Sequence, residues 1–157
     1  MLDQATLKQE LHYCPDTGAF TRKRTGGGVR AGAPAGGRDA HGHMTVSVFG
    51  KRYRAARLAF LYITGAWPQE DVDHINGDRA DDRWSNLRAA TRVQNLANTR
   101  ARSGMKGACW VSSKNRWKAQ IRAGGKNRHI GYFDTEAEAN AAYAAAAQEA
   151  HGEFARA

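Results

Sequence analysis

The sequence is poor in cysteine, lacks long apolar runs and has few acids for its many bases. Its two cysteines, Cys14 and Cys109, stand far apart with no CxxC neighbour, which argues against a disulfide scaffold or a cysteine-held zinc. The longest apolar stretches are only a few residues, too short for a membrane-spanning helix. The first ten residues, MLDQATLKQE, show no basic-then-apolar pattern, so a cleaved secretory signal is not expected. What is present is 157 residues, room for one ordinary domain or two very small ones, with 41% apolar content to form a modest core. A cytoplasmic protein that adheres to polyanions is the expectation.

The net charge of +9 is unevenly distributed. Residues 1–68 carry ten Lys/Arg against four acids, residues 69–99 four against six, and residues 100–157 ten against five. Between Arg100 and Arg128 nine basic residues meet no acid. Two basic modules thus flank a short acidic one. Basic surfaces attract nucleic-acid phosphates through counterion release. A cluster of Asp, Asn and His inside such a protein could bind a cation.

Local patterns predict a helix over 4–11, a turn at Pro15-Asp16-Thr17-Gly18, and a loop over the glycine-rich residues 26–42. Residues 43–49 alternate in polarity and, with a Gly50-Lys51 turn into Arg52-Tyr53-Arg54, predict a β-hairpin. Ala55–Ile63 reads as a helix stopped by Gly65 and Pro68. Strand, polar loop, strand and helix follow in the order Val72–Ile75, 76–85, Asn86–Arg88 and Thr91–Thr99, the helix opened by a Thr91…Gln94 capping box. Strands at 107–111, 116–122 and 126–130 then precede a helix from Glu136 to about His151, with a Thr135…Glu138 capping box.

The chemistry concentrates in Val72-Asp73-His74-Ile75-Asn76-Gly77-Asp78, Asn86-Leu87-Arg88 and Gln94-Asn95. On these residues, and on the Arg57–Pro68 stretch before them, the chain resembles the HNH endonucleases of the phage and intron-encoded homing type. The resemblance implies a ββα-metal fold and phosphodiester hydrolysis. A neutral imidazole titrates near physiological pH and can deprotonate a water, so His74 is implied as general base. Asp73 and Asn95 are implied as ligands of one divalent ion, Mg²⁺ or Mn²⁺, with no structural zinc. Asn86 is implied to bond the other imidazole nitrogen or the backbone around it. Asp73 and His74 are neighbours on a strand and point to opposite sides, so a strand end or bulge must re-aim one. Asp78, Asp81 and Asp82 are expected to shape the loop. One departure stands out: Ala56 occupies a position where the resemblance implies a histidine that contacts the phosphate or supports the site.

Residues 103–157 resemble the APETALA-type (ethylene-response-factor) DNA-binding domain, on Ser103-Gly104…Gly107, Arg116–Arg122, Ile130–Thr135 and Ala139…Ala142-Tyr143…Ala146. A sheet in the major groove with a helix behind it is implied. Lys118, Gln120 and Arg122 share the face opposite Trp117, Ala119 and Ile121 and are candidates to read bases. Lys106, Lys114, Arg116, Lys126 and Arg128 are candidate phosphate contacts. Further candidates are Arg54 and Arg57 near the hairpin, the Arg22-Lys23-Arg24 run, and Asn98, Arg100 and Arg102 between the units.

The expected class is α+β: a basic β-hairpin region over 1–54, a ββα-metal nuclease core over 55–100, and a three-stranded sheet with one helix over 103–157. The expected activity is nicking or homing cleavage of double-stranded DNA by a monomer or homodimer from a phage or mobile element, away from membranes. The competing class is a catalytically silent DNA-binding protein derived from a nuclease, which Ala56 favours.

Overall fold

The computed structural model describes residues 2–99 and 105–156. They divide into two compact units, Met1–Ala90 and Thr91–Ala157. No helix among the described residues is long and apolar enough to cross a membrane.

The first unit opens with α1 (Gln4–Glu10), whose N-cap Asp3 accepts a hydrogen bond from the Thr6 N–H. Leu11, expected at the end of this helix, instead starts β1 (Leu11–Tyr13), which pairs antiparallel with β2 (Phe20–Arg22). A two-residue β3 (Gly37–Arg38) emerges from the glycine-rich segment and pairs with β4 (Met44–Val48), which pairs in turn with β5 (Lys51–Arg54). The β4–β5 turn is Phe49-Gly50, one residue earlier than expected, because Val48 pairs directly with Lys51. α2 (Ala55–Thr64) follows without a break and ends at Gly65 in the left-handed conformation. β6 (Asp71–His74) and β7 (Leu87–Ala90) then form an antiparallel pair.

Leu7, Leu11, Tyr13, Phe20, Val46, Val48, Leu58, Leu61 and Leu87 join in one buried core, so α1, both hairpins, α2 and β7 are a single packed body. Long branched and aromatic side chains contribute most to such burial, about 1.5–3 kcal/mol each.

In the second unit, α3 (Arg92–Ala97) is opened by the expected Thr91…Gln94 capping box. β8 (Ala108–Val111), β9 (Arg116–Ala123) and β10 (Lys126–Phe133) make an antiparallel sheet in the order β10-β9-β8. α4 (Glu136–His151), opened by the Thr135…Glu138 capping box, covers one face. Its alanines keep it thin, and the core is small: Ala97, Ala119, Ile121, Ala139, Tyr143, Ala146, Ala147 and Phe154. Gly107, with φ +77°, sits so close to Tyr143 that a Cβ would fall 2.0 Å from the ring.

Candidate functional site

β6 delivers Asp73 and His74 to the interior, where they are 4% and 6% exposed. The register sets Asp73 opposite Arg88 and His74 opposite Leu87. Arg88 therefore reaches straight across the pair. Its Nε and Nη2 both meet Asp73 Oδ2, at 2.9 and 2.8 Å. The pair forms a charge-assisted contact in a site that water scarcely reaches.

His74, on the other side of the strand, aims its Nε2 at Asp82 Oδ1, 2.9 Å away. Asp82 is 2% exposed, and its second oxygen, Oδ2, has no hydrogen-bond partner among the described residues. Burial raises the Asp82 carboxyl above the usual carboxylate range, while the bond to His74 pulls the other way. The expectation that Asp82 merely shapes its loop is thus corrected: it is the imidazole's partner.

The N-terminal hairpin fixes the loop that carries Asp82. Tyr13 Oη donates to the Asp82 carbonyl at 2.7 Å, and the Trp84 N–H donates to the Pro15 carbonyl at 2.9 Å. Gly18, at φ +73°, packs flat on the same backbone; a Cβ there would stand 2.4 Å from the Asp82 carbonyl carbon. The turn predicted at 15–18 is therefore a clamp on the site.

Asn86 lies in a single 3₁₀ turn (Trp84–Asn86) and is buried. Its Oδ1 accepts from the Asn76 N–H at 3.0 Å. Its Nδ2 donates to Asn76 Oδ1 at 3.1 Å and to the Asp81 carbonyl at 2.7 Å. Of the two partners foreseen for Asn86, it is thus the backbone beyond His74 that it bonds. Asp81 accepts from Asn76 Nδ2 and pairs with Arg83, whose guanidinium holds the carboxyl down at about 2. Asp78 caps its own turn by accepting from the Ala80 N–H.

Ala56 is 5% exposed in the first turn of α2 and packs into the core. Arg57, expected at the DNA, spends its guanidinium on the Glu70 and Pro68 carbonyls at 2.8 and 3.1 Å, which ties α2 to the segment entering β6. Arg54 is exposed at the end of β5. In the basic run, Arg22 donates to the Ser47 carbonyl, Lys23 to the Lys8 carbonyl, and Arg24 pairs with Glu10.

Asn95 lies on α3 in the second unit. Among the described residues no group of three or more His, Cys, Asp or Glu side chains is arranged to hold a metal ion.

The sheet of the second unit separates its charges by face. Gln120 and Arg122 are exposed, Lys118 is half-buried, and all three lie opposite the buried Ala119 and Ile121. On β10, Asn127, His129 and Tyr132 pair with Arg122, Gln120 and Lys118 and so share that open face. Lys114 stands 4.6 Å over the Tyr132 ring, and Arg116 meets Asp134 at 3.2 Å. Lys126 is exposed at the start of β10. Two candidates are placed differently. Arg128 pairs in register with Ile121, faces α4 and meets Glu149 at 3.6 Å. Lys106 is half-buried; its ammonium donates to the Ala97 carbonyl near the Tyr143 ring, and burial lowers its basicity. Asn98 is buried rather than a surface contact, and Arg100, Arg102, Ser103 and Gly104 lie outside the described residues. Trp110 is 47% exposed and packs edge-on against Trp117.

The family model for HNH endonucleases matches residues 53–97, which run from the end of β5 through α3. An uncharacterised HNH endonuclease of Acanthamoeba polyphaga mimivirus is 38% identical over 96 residues, covering 60% of this chain and 51% of that one. Protein 3.8 of Escherichia phage T7 is 33% identical over 89 residues, covering 54% of this chain and 73% of that one. The chain thus spans about half the length of the mimivirus relative. No solved structure matches it.

Proposed function

Since the chain belongs to the HNH endonuclease family, we propose that it nicks double-stranded DNA in a divalent-metal-dependent reaction with His74 as general base. The observation that carries this reading is the buried His74–Asp82 pair. Burying an imidazole and a carboxylate costs stability that an apolar pair would not, and such sites cluster where chemistry is done.

Asp82 Oδ1, 2.9 Å from Nε2, orients the imidazole. The imidazole removes a proton from water as the water oxygen bonds to phosphorus. The bond from phosphorus to the 3′ oxygen breaks, and the departing oxygen takes a proton from solvent. The products carry 5′-phosphate and 3′-hydroxyl ends. Asp82 stabilises the imidazolium formed on the way. One base per chain acts on one strand, so a monomer nicks.

Asp73 would hold the ion. Its buried side chain offers hard oxygens of the kind Mg²⁺ and Mn²⁺ take while keeping several waters. When bound, the ion supplies positive charge against the charge developing on the phosphate. The open sheet face with Lys118, Gln120 and Arg122, flanked by Lys114, Arg116 and Lys126, is the proposed DNA-binding surface, in the manner of an APETALA-type domain.

Supercoiled plasmid tests the reading. Nicked circles form with Mg²⁺ or Mn²⁺, vanish with chelator, and form about 10³-fold more slowly with His74→Ala. Tight duplex binding without nicking by the unaltered chain supports the second reading, a silent DNA binder, which the alanine at position 56 favours.

A further inference from the structure

The first unit brings a second imidazole to His74, one that no motif singles out. His43 stands half-buried where the glycine-rich segment enters β4, and its ring centroid lies 6.2 Å from that of His74, tilted by 45°. Its backbone is fixed: the His43 N–H donates to Asp39 Oδ1 at 2.9 Å, and the Asp39 N–H donates to the His43 carbonyl at 2.8 Å. The ring itself makes no hydrogen bond to any described residue.

Two guanidiniums flank it. Arg79, from the loop after β6, reaches across to donate to the His41 carbonyl at 3.0 Å. Arg54 pairs with Thr45, two residues beyond His43. Burial, and then the fields of Arg54 and Arg79, push the His43 imidazole down to about 4, with Asp39 opposing. The ring is therefore neutral at physiological pH, set among positive charges and beside the proposed base. An anion entering here would meet two cations and an imidazole able to donate a hydrogen bond.

We propose that His43, Arg54 and Arg79 form the pocket that receives the scissile phosphodiester beside His74. The arginines neutralise its non-bridging oxygens, and His43 donates to one of them as charge builds in the transition state. His43 immediately precedes β4, and Ala56 lies in the first turn of α2, which follows β5 without a break. This inference rests on the nuclease reading for its substrate, but the anion pocket can be measured without cleavage.

The test has two arms on the full chain. In single-turnover nicking with Mg²⁺, His43→Ala is expected to slow the step about 10²-fold, with duplex affinity changed less than about threefold. His43→Gln, which keeps an N–H donor, should recover about tenfold of that loss. In the second arm, inorganic phosphate is titrated against the imidazole ¹H–¹⁵N spectrum; the His43 signals should move, and should move less in Arg79→Ala. Nicking by His43→Ala at the unaltered rate overturns the assignment, as do His43 signals indifferent to phosphate. If the unaltered chain fails to nick while phosphate still moves His43, the pocket stands and the nuclease reading falls.

Discussion

The two units carry similar densities of charged residues and deploy them in opposite ways. The first takes Asp73, His74 and Asp82 into its interior and ties the loop around them with Asn86 and Tyr13. The second keeps almost every charge outside and packs a thin alanine-rich helix on a three-stranded sheet. A large core of leucine and aromatic side chains can offset the cost of buried polar groups; a core of alanines cannot. The unit with energy to spare is the one that carries the candidate chemistry, and the other offers a surface.

If this contrast holds, packing changes in the first unit cost both stability and nicking. The sharpest case is Gly18→Ala. Its methyl would collide with the Asp82 backbone from a left-handed conformation, so unfolding free energy should fall by about 2 kcal/mol or more, with nicking lost in parallel. Denaturant melts and plasmid assays on the same preparation check this; an unchanged melt would break the link between the clamp and the site.

Changes on the second unit's open face should alter affinity alone. Arg122→Ala is expected to weaken duplex binding about tenfold and to lower the salt slope of binding by about 1, leaving the rate of the bound complex unchanged. Lys106→Met should leave the salt slope as it was, because that ammonium faces the Ala97 carbonyl. Equal effects from the two would erase the distinction between surface and packing lysines.

His43 gives a pH signature to the first unit. Its folded value, about 4, lies below the ordinary 6.5, so the unfolded chain binds the proton more readily. The associated stability is complete above about pH 6.5 and is lost as pH falls toward 4, by about 1 kcal/mol after solvent screening. Melts from pH 7.5 to 4 should show this component in the unaltered chain and not in His43→Gln. The smallest effect is at the β4–β5 turn, where Phe49 adopts φ +48° and is 69% exposed. Phe49→Asn suits that two-residue turn and should raise stability by about 0.5 kcal/mol.

What the sequence made legible was mostly local. Thr91 and Thr135 announce their helices because a capping box is complete within four residues. β9 shows its two faces because alternation needs no partner to be visible. The hairpin was legible but its turn was misplaced by one residue, since Phe49 is not a residue that signals a left-handed backbone. Asp82 could not be told from Asp78 and Asp81, because only the clamp from Tyr13, Pro15 and Gly18 turns it inward. A Tyr and a Gly some 65 residues upstream carry no pattern that points to it. Arg128 and Lys106 look like their basic neighbours until register sets Arg128 on the α4 side of the sheet and the fold sets Lys106 against the Ala97 carbonyl. His43 lies at the margin of a loop with no periodicity, and only the tertiary fold brings it to His74.

The most direct measurement is single-turnover nicking by Asp82→Asn with DNA saturating. The substitution keeps the size of the side chain and replaces the carboxyl by an amide, so the imidazole loses its acidic partner at 2.9 Å. A rate lower by about 10²-fold with duplex affinity and melt little changed is the expected result. Nicking at the unaltered rate would contradict the assignment of the buried pair as the catalytic base.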